Sequence, residues 1–321
     1  MKPTTQLIFN PNAGKKRKLF SFGTSASLED IKTLLKQYQI SVKLSPTKGP
    51  GHATAIAQNS INEGYTTVLV AGGDGTVGEA ANGLVGTDVT LGILPLGSFM
   101  NIAKMLSIPA DMEKAVSVIK IGRTRKIDVG CITKLDGEKL LAPHYFLETA
   151  GIGLEAEIQQ YFLEMEQGKL SSGIDVIKSV SSISSNKMKL IMDDQEVEIE
   201  ATLVTIANAP ITGAALHLAP KARLNDHRLT ITVYNMSKMD LAKYFVKMKT
   251  TGKTDLRKLT TYQTKKLKIV GDENMLIHAD ARVFGSPPAE FKIIPNALQV
   301  ITGFPSEDDK QTMVKKTVLD P

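Results

Sequence analysis

The sequence predicts an α/β N-terminal domain built on a doubly wound parallel sheet, followed by a β-rich C-terminal domain that forms an antiparallel sandwich. In the first third of the chain, apolar strand-like runs alternate with helix-like runs, which is typical of βαβ units. After about Arg123 the runs become short and alternate polar with apolar residues, as in antiparallel strands. The 321 residues also exceed what one hydrophobic core usually supports, which favours two domains.

The first domain is predicted over residues 1–124, where strands and helices alternate. Strands are predicted at 5–9, 40–44, 67–70 and 90–94, and helices at 27–38, 51–63 and 77–84. Strands joined through helices pair in parallel, so this order predicts the doubly wound sheet.

The second domain is predicted over residues 125–305, with its last strand allowed to return to the first domain, and residues 306–321 are predicted as a polar tail. Strands are predicted at 126–132, 144–149, 187–192, 196–207, 228–234, 265–270, 275–278, 290–294 and 298–301. Helices are predicted at 154–167 and 240–248.

Charge and composition limit the classes of partner. The formal net charge of +6 favours anionic partners such as nucleotide phosphates or acidic lipid surfaces. The absence of Trp and the 5% aromatic content argue against nucleic acid. The apolar stretch 89–106 is interrupted by Pro95, Gly97 and Lys104, so neither a membrane span nor a signal peptide is predicted. We expect a cytoplasmic protein. Peripheral membrane contact and a homo-oligomer are both compatible with the sequence. The single cysteine, Cys131, is expected to be a buried thiol.

The segment Gly72-Gly73-Asp74-Gly75-Thr76 follows an apolar strand and precedes a helix. Glycines let the backbone approach an anion closely, and the unpaired amides and dipole of a helix start attract negative charge. A carboxylate beside phosphate is repelled unless Mg²⁺ lies between them or Asp74 accepts a proton or hydrogen bond, as a phosphotransferase requires. A tight strand-to-helix turn without a ligand is the alternative interpretation.

The loop and three further motifs resemble the superfamily of diacylglycerol kinases, sphingosine kinases and bacterial lipid kinases. The three motifs are Asn10-Pro11-Asn12-Ala13-Gly14, Thr47-Lys48-Gly49-Pro50-Gly51-His52-Ala53 and Leu91-Gly92-Ile93-Leu94-Pro95-Leu96-Gly97-Ser98. Ser98 stands where the family has threonine and keeps a hydroxyl group. NAD kinases share the glycine loop but carry a different N-terminal pattern, so they rank lower. The resemblance covers roughly residues 5 to 303 and is stronger in the first domain.

The resemblance implies the fold of diacylglycerol kinases and NAD kinases, with ATP and Mg²⁺ as cofactors and a lipid substrate in the cleft between the domains. Asp74 and Asp128 match acidic positions of the family, which would organise the metal and the phosphates. The nucleotide-binding positions that the resemblance implies are Asn10, Asn12, Gly14, Thr47, Gly72, Gly73, Asp74, Gly75, Thr76, Glu79, Gly97 and Ser98.

Two positions depart from the pattern of an active kinase. Asn101 stands where the family has an aspartate, and Asp280-Ala281-Arg282 stands where lipid kinases carry Asp-Gly-Glu with the glutamate as proposed general base. A guanidinium stays protonated, so Arg282 cannot accept a proton. Asp280 is the nearest surviving carboxylate, although two residues along a strand displace a base by roughly 6 to 7 Å. The predicted catalytic residues are therefore Asp74, Asp128 and Asp280.

The resemblance to bacterial relatives also implies a structural Mg²⁺ site. There, the aspartate matching Asp226 binds the ion together with backbone carbonyls at the positions of Arg223 and Arg228, and oxygen ligands suit this ion. The family has glycine where this chain has His227. A simple turn aspartate without an ion is therefore an equal alternative.

Two functions stay open at this point. The leading hypothesis is an ATP-dependent lipid kinase that transfers the γ-phosphoryl group to a lipid hydroxyl. The alternative is a pseudokinase that binds nucleotide or lipid without turnover, which Asn101 and Arg282 favour. The acceptor is not indicated, because lipid pockets share the composition of any apolar core.

Two basic segments have two interpretations each. Lys15-Lys16-Arg17-Lys18 would hold phosphates or touch an acidic membrane, or else form a solvated loop. Residues 238–258 place Leu241, Tyr244, Phe245 and Met248 on one helical face among lysines. That pattern is typical of a membrane-surface helix, and a core-facing helix is the preferred interpretation.

Overall fold

The computed structural model describes residues 4–13, 26–136, 139–140, 142–153, 185–213, 215–251, 255, 259–272, 275–280 and 282–304. Four sequence predictions lie outside these ranges. They concern Gly14, the basic segment 15–18, the helix predicted at 154–167 and the tail at 306–321.

The first part of the chain forms a parallel sheet with helices packed in two pairs, α1 with α5 and α2 with α3. Strands β3 and β4 are buried along almost their whole length, because helices cover both faces of such a sheet. The strand order is β4-β3-β1-β2, with every neighbouring pair parallel. The elements are β1 (Thr5–Phe9), α1 (Leu28–Gln37), β2 (Val42–Pro46), α2 (His52–Asn62), β3 (Thr67–Gly72), α3 (Asp74–Leu84), β4 (Thr90–Pro95), α4 (Asn101–Met105) and α5 (Met112–Ile121).

Helices α4 and α5 were not predicted from the sequence. Helix α5 carries recognisable end signals, since the Asp111 side chain accepts a hydrogen bond from Lys114 N and Gly122 ends the helix at φ 70°. Helix α4 has only five residues and begins after Met100, which has φ 50°, without a side-chain cap. Its start is therefore set by tertiary contacts, which no local pattern reveals.

The second part of the chain is dominated by antiparallel strands, as predicted. Its elements are β5 (Thr124–Asp136), β6 (Lys139–Leu140), β7 (His144–Phe146), β8 (Thr149–Gly153), β9 (Asn186–Met192), β10 (Glu196–Ala201), β11 (Leu203–Ala207), β12 (Leu229–Tyr234), α6 (Lys238–Thr251), β13 (Thr260–Thr264), β14 (Lys266–Gly271), β15 (Ile277–Ala279), β16 (Arg282–Gly285) and β17 (Ala289–Ile301). The predicted fold class, α/β followed by an antiparallel β-rich domain, is confirmed.

Two sheets face each other in this second part. One sheet, in the order β13-β12-β11-β8-β15-β16, packs apolar side chains such as Val204 and Ile231 against others such as Leu190 and Phe291 from the larger sheet. The run predicted as a single strand at 196–207 is divided at Thr202, because β10 pairs in the larger sheet and β11 in the smaller one. Strand β10 alternates exposed with partly buried residues, whereas every residue of β11 is buried, but neither pattern reports which sheet a strand joins.

Strand β17 joins the two parts of the molecule. It pairs antiparallel with β5 and β14, and Val300 pairs in parallel with Leu91 of β4. The segments predicted at 290–294 and 298–301 are one strand with an irregularity between Ile294 and Leu298. Just beyond the strand, Gly303 N donates to Leu106 O. The parallel sheet is thereby continuous with the antiparallel one.

Helix α6 is held by its apolar face. Leu241, Tyr244, Phe245 and Met248 are buried against Tyr234 and neighbouring side chains, and Tyr234 stacks obliquely on Phe245 with ring centroids 6.1 Å apart. The preferred interpretation of a core-facing helix is confirmed. Cys131 is buried, as expected. No helix within the described ranges is both long and apolar enough to cross a bilayer.

Candidate active site

The predicted nucleotide-binding segments meet at one edge of the parallel sheet. Asn10 follows β1, Thr47 follows β2, Gly73 follows β3, and Gly97 with Ser98 follows β4. Thr47 N donates to Phe9 O at 2.8 Å and Asn10 N to Ala71 O at 3.0 Å, which fastens adjacent strand ends together. In open α/β sheets, ligands bind outside the carboxyl ends of the strands. The structure thus gathers these described residues where such a site is expected.

The glycine loop leaves the start of α3 open. Gly73 is the N-cap of this helix, and no side chain caps it, so its first amides lack intrahelical acceptors. A Cβ on Gly97 would come within 2.6 Å of Gly73 Cα, so the two turns can touch only because Gly97 lacks a side chain. A Cβ on Gly75 would meet nothing within 4 Å. An uncapped helix start with space beside it fits an anionic group such as phosphate.

Asn10 and Glu79 hold the loop from its two sides. Asn10 Nδ2 donates to Thr76 Oγ1 at 2.9 Å, and Asn10 Oδ1 accepts from Asn12 N at 3.0 Å. Glu79 Oε2 accepts from Ala53 N at 3.2 Å, which ties α3 to the start of α2. These contacts shape the cradle within the protein.

The Asp74 carboxylate reaches the start of helix α4. Asp74 Oδ1 accepts from Ile102 N at 3.2 Å. Burial raises the pKa of this carboxyl, against the lowering effect of amides of α4 and the charge of Lys104. A carboxylate at this position needs a cation or a hydrogen bond, and the Ile102 amide of α4 supplies the hydrogen bond.

Asn101, the amide in place of an expected carboxylate, faces Glu148. Asn101 Nδ2 lies 3.2 and 3.4 Å from the two carboxyl oxygens of Glu148, and it donates to Gly213 O at 2.8 Å. Gly213 N donates to Glu148 Oε2 at 3.0 Å. Burial raises the pKa of Glu148 well above its usual range, and the charges of Asp74 and Asp280 raise it further.

Asp280 occupies the turn between β15 and β16, with φ 43°. Its Oδ2 accepts from Leu147 N at 2.8 Å and its Oδ1 from Glu148 N at 3.0 Å, while its own N donates to Thr149 O at 2.9 Å. Burial, together with the charge of Asp74, raises the pKa of Asp280 to about 6 despite these amides. Two predicted catalytic residues, Asp74 and Asp280, are therefore electrostatically coupled.

A pocket of about 360 Å³ opens beside the glycine helix. Its lining combines the exposed side of α3 with residues of α2, of β7 and of the Asp280 turn. The lining residues are Thr54, Gln58, Gly75, Gly78, Glu79, Asn82, Pro143, His144, Tyr145 and Asp280. Asn82 fixes the junction, since its Nδ2 donates to Gly78 O and Tyr145 O and its Oδ1 accepts from Tyr145 N. The volume lies in the range of small-molecule sites.

Asp128 forms a different set of contacts. Its side chain is fully buried, its Oδ2 accepts from His227 N at 2.7 Å, and its Oδ1 accepts from Asn296 N at 2.9 Å. The imidazole Nδ1 of His227, which has φ 58°, lies 2.9 Å from Asp128 Oδ1. The catalytic role of Asp128 stays a prediction, and its contacts fasten β5 to β17 and to the turn before β12.

The predicted structural metal site lies in that turn. Asp226 Oδ1 accepts from Arg228 N at 3.2 Å, and the Arg223 guanidinium donates to Pro220 O and Ala222 O. Burial raises the pKa of Asp226, and the charge of Asp128 adds to that. A cation beside this carboxylate would relieve both effects. Within the described ranges, no group of three or more His, Cys, Asp and Glu side chains is arranged to hold a metal, so Mg²⁺ here would depend on carbonyl and water oxygens.

Arg282 is the first residue of β16, paired with Ala279, and its side chain lies outside the described part of the structure.

Three residues of the site were not predicted from the sequence, namely Glu148, Thr54 and Asn82. Glu148 had a readable signal, because it is a charged residue between two short apolar strands. Its partner Asn101 is distant in sequence, so the contact itself was not readable.

Two family models match most of the chain. Residues 4–132 match the family model of the diacylglycerol kinase catalytic domain, and residues 149–302 match the YegS C-terminal NAD kinase beta sandwich-like domain. The diacylglycerol kinase of Bacillus subtilis (strain 168) is 26% identical over 318 residues, covering 95% of this chain and 98% of that protein. The diacylglycerol kinase of Staphylococcus carnosus (strain TM300) is 23% identical over 308 residues, covering 94% and 96%.

Solved structures share the fold. A diacylglycerol kinase from Bacillus anthracis str. Sterne superposes with a TM-score of 0.69 at 22% identity, covering 93% of this chain and 96% of that one. The yeast NADH kinase complexed with NADH gives 0.54 at 10% identity, covering 99% and 88%. The family model and the curated relatives support a phosphotransferase of the class that uses an alcohol group as acceptor. The chain belongs to the diacylglycerol kinase superfamily, as the sequence motifs predicted.

Proposed function

We propose that the chain is an ATP- and Mg²⁺-dependent lipid kinase that transfers the γ-phosphoryl group of ATP to a lipid hydroxyl. The observation that carries the proposal is the uncapped start of α3, which opens beside the pocket lined by Asp280. An anion-binding helix end next to a buried carboxylate is the arrangement that phosphoryl transfer to an alcohol needs.

The glycine loop would hold the phosphates of ATP. The start of α3 has no side-chain cap, a Cβ on Gly75 would meet nothing within 4 Å, and the α3 dipole favours negative charge there. Thr54, Gly78 and Glu79, which line the pocket, would contact the nucleoside. Mg²⁺, when bound with the nucleotide, would neutralise charge that develops on the phosphates.

Asp280 is the proposed general base. A carboxyl with a pKa of about 6 is mostly ionised at neutral pH and is a stronger proton acceptor than an ordinary aspartate. It would take the proton of the lipid hydroxyl in the cleft between the domains. Asp74, close enough to influence its pKa, would fix the position of α4 and face the metal-bound phosphates.

The names of the relatives support a lipid acceptor. The curated relatives from Bacillus subtilis and Staphylococcus carnosus are named diacylglycerol kinase. The net charge of +6 supports peripheral contact with acidic lipids. The carboxyl groups of Glu148 and Asp280 lie close enough to Asp74 for their charges to interact, which supports the kinase over the pseudokinase alternative despite Asn101.

The test is transfer of labelled γ-phosphate from ATP to lipids in mixed micelles, offered as diacylglycerol, sphingosine, phosphatidylglycerol and undecaprenol. The key variant is Asp74→Asn, which keeps an oxygen for the Ile102 amide but removes the charge. Asp88→Asn is the matched control, since Asp88 is exposed in the loop that follows α3. ATP binding is measured in parallel by calorimetry.

We expect one lipid class to be phosphorylated, with turnover reduced at least about a hundredfold in Asp74→Asn and unchanged in Asp88→Asn. Tight ATP binding without transfer to any acceptor would instead identify a pseudokinase. Failure to bind ATP at all would refute the assignment of the glycine loop.

A further inference from the structure

Glu148 is a buried carboxyl at the junction of the two domains that the roles above leave unused. Only 5% of its surface is exposed. Its side chain receives the Asn101 amide from the first domain and the Gly213 amide from the second. Asn101 Nδ2 faces three acceptor oxygens, those of Glu148 and Gly213 O, so the orientation of this amide is determined.

The backbone of Glu148 holds the catalytic turn. Its N donates to Asp280 Oδ1 at 3.0 Å, and its carbonyl accepts from Asn208 N and Ala209 N, both at 3.0 Å. The neighbouring Ile102 amide holds Asp74. One residue therefore links the α4 start, which orients Asp74, to the turn that carries Asp280.

A carboxyl is a costly choice for a purely structural link. No basic side chain in the described part of the chain pairs with Glu148, and buried charges without a cation are strongly disfavoured. A glutamine would keep one oxygen for the two amides, but its own NH2 group would then face Asn101 Nδ2, which lies 3.2 and 3.4 Å from the two carboxyl oxygens. Titratable groups kept in such surroundings are typical of functional sites.

We propose, on the basis of the phosphotransfer function proposed above, that Glu148 is a positioning residue of the site. With its side chain it fixes Asn101 and with its backbone it fixes Asp280, so that the two domains present Asp74 and Asp280 to one substrate. Asn101 is the matching half of this link, because its Nδ2 is a donor to a carboxyl and a carbonyl. A carboxylate at 101 would face those oxygens within about 3 Å and be repelled.

This link reverses the expectation that the resemblance gave for Asn101. If residue 101 lacked a needed charge, Asn101→Asp would raise the activity. The geometry predicts that Asn101→Asp lowers the activity. It also predicts that adding Glu148→Gln to the Asn101→Asp variant relieves the repulsion. In this double variant the contact again joins one carboxylate and one amide, but the carboxylate is at position 101 and the amide at position 148.

The experiment compares the wild-type protein with Glu148→Gln, Asn101→Asp and the double variant, using the ATP-to-lipid transfer assay and urea unfolding. Glu113→Gln is the control, because Glu113 is an exposed glutamate of α5. In Glu148→Gln we expect kcat to fall about a hundredfold, as misplaced reacting groups do, with KM for ATP within about threefold. The fraction folded should not fall, since a buried uncompensated carboxyl has been removed.

Asn101→Asp should lose at least as much activity and unfold at lower urea, and the double variant should regain at least about tenfold in kcat over Asn101→Asp. An unchanged kcat in Glu148→Gln, or a loss explained by its unfolded fraction, overturns the positioning role while leaving the kinase assignment intact. If the wild-type protein transfers no phosphate, the proposed function has failed. In that case the contact between Asn101 and Glu148 is tested by urea unfolding of the wild type, the two single variants and the double variant. Additive effects of the two substitutions on the unfolding free energy would overturn it.

Discussion

Replacing Asp280 by asparagine should reveal how strongly the fold holds a proton at this position. The unfolded carboxyl has a pKa of 3.8 and the folded one a pKa of about 6, a difference worth about 3 kcal/mol at about 1.4 kcal/mol per tenfold change in proton affinity. Because the folded state binds the proton more tightly, this stability is fully present below pH 3.8 and lost as the pH rises through about 6. Asparagine cannot ionise, so the variant lacks that loss.

The substitution has an opposing cost that does not depend on pH. Leu147 N and Glu148 N donate to different oxygens of the carboxyl group. Both oxygens keep lone pairs even when the group is protonated, whereas the NH2 group of asparagine accepts no hydrogen bond, which costs about 1 to 3 kcal/mol. Asp280→Asn should therefore be less stable than wild type by about that amount at pH 4. Between pH 4 and pH 8 the difference should shift by about 2 to 3 kcal/mol in favour of the variant.

Urea unfolding of both proteins at pH values from 4 to 8 measures this shift directly. A difference in unfolding free energy that stays constant over the range, or that moves against the variant as pH rises, would refute the burial argument. The transfer assay gives a second reading, since losing a general base should lower kcat about a hundredfold to ten-thousandfold.

Three further outcomes follow from single contacts. Gly97→Ala should destabilise by about 1 to 3 kcal/mol and weaken ATP binding measured by calorimetry, because its Cβ would lie 2.6 Å from Gly73 Cα. Leu241→Ala should lower the free energy of unfolding in urea by about 2 to 5 kcal/mol. Met239→Ala, on the exposed side of α6, should change it by no more than about 0.5 kcal/mol, and similar changes in both variants would contradict the core-facing helix. Millimolar Mg²⁺ should raise the melting temperature of the wild-type protein but not of Asp226→Asn, and an equal rise in both would place the ion elsewhere.

The cradle was predictable because its signals are local. The apolar strand, the glycine run and the helix start are consecutive in sequence, so each fixes the geometry of the next. The contact of Asn101 with Glu148 is not local, and neither residue shows from its neighbours that the other will meet it. The separation of β10 from β11 escaped prediction for a similar reason, because alternation reports that a strand has two faces without reporting which sheet it joins.

The position of β17 has a consequence for how the molecule folds. Strand β4 carries part of the phosphate cradle at its end, and its outer neighbour is supplied by Val300, about two hundred residues later in the chain. During synthesis, β4 remains an unpaired edge until that strand emerges from the ribosome, although the motifs of the nucleotide site have long been translated. Nascent chains should therefore acquire ATP affinity late. Until then they expose an aggregation-prone strand edge, which chaperones would protect during that interval.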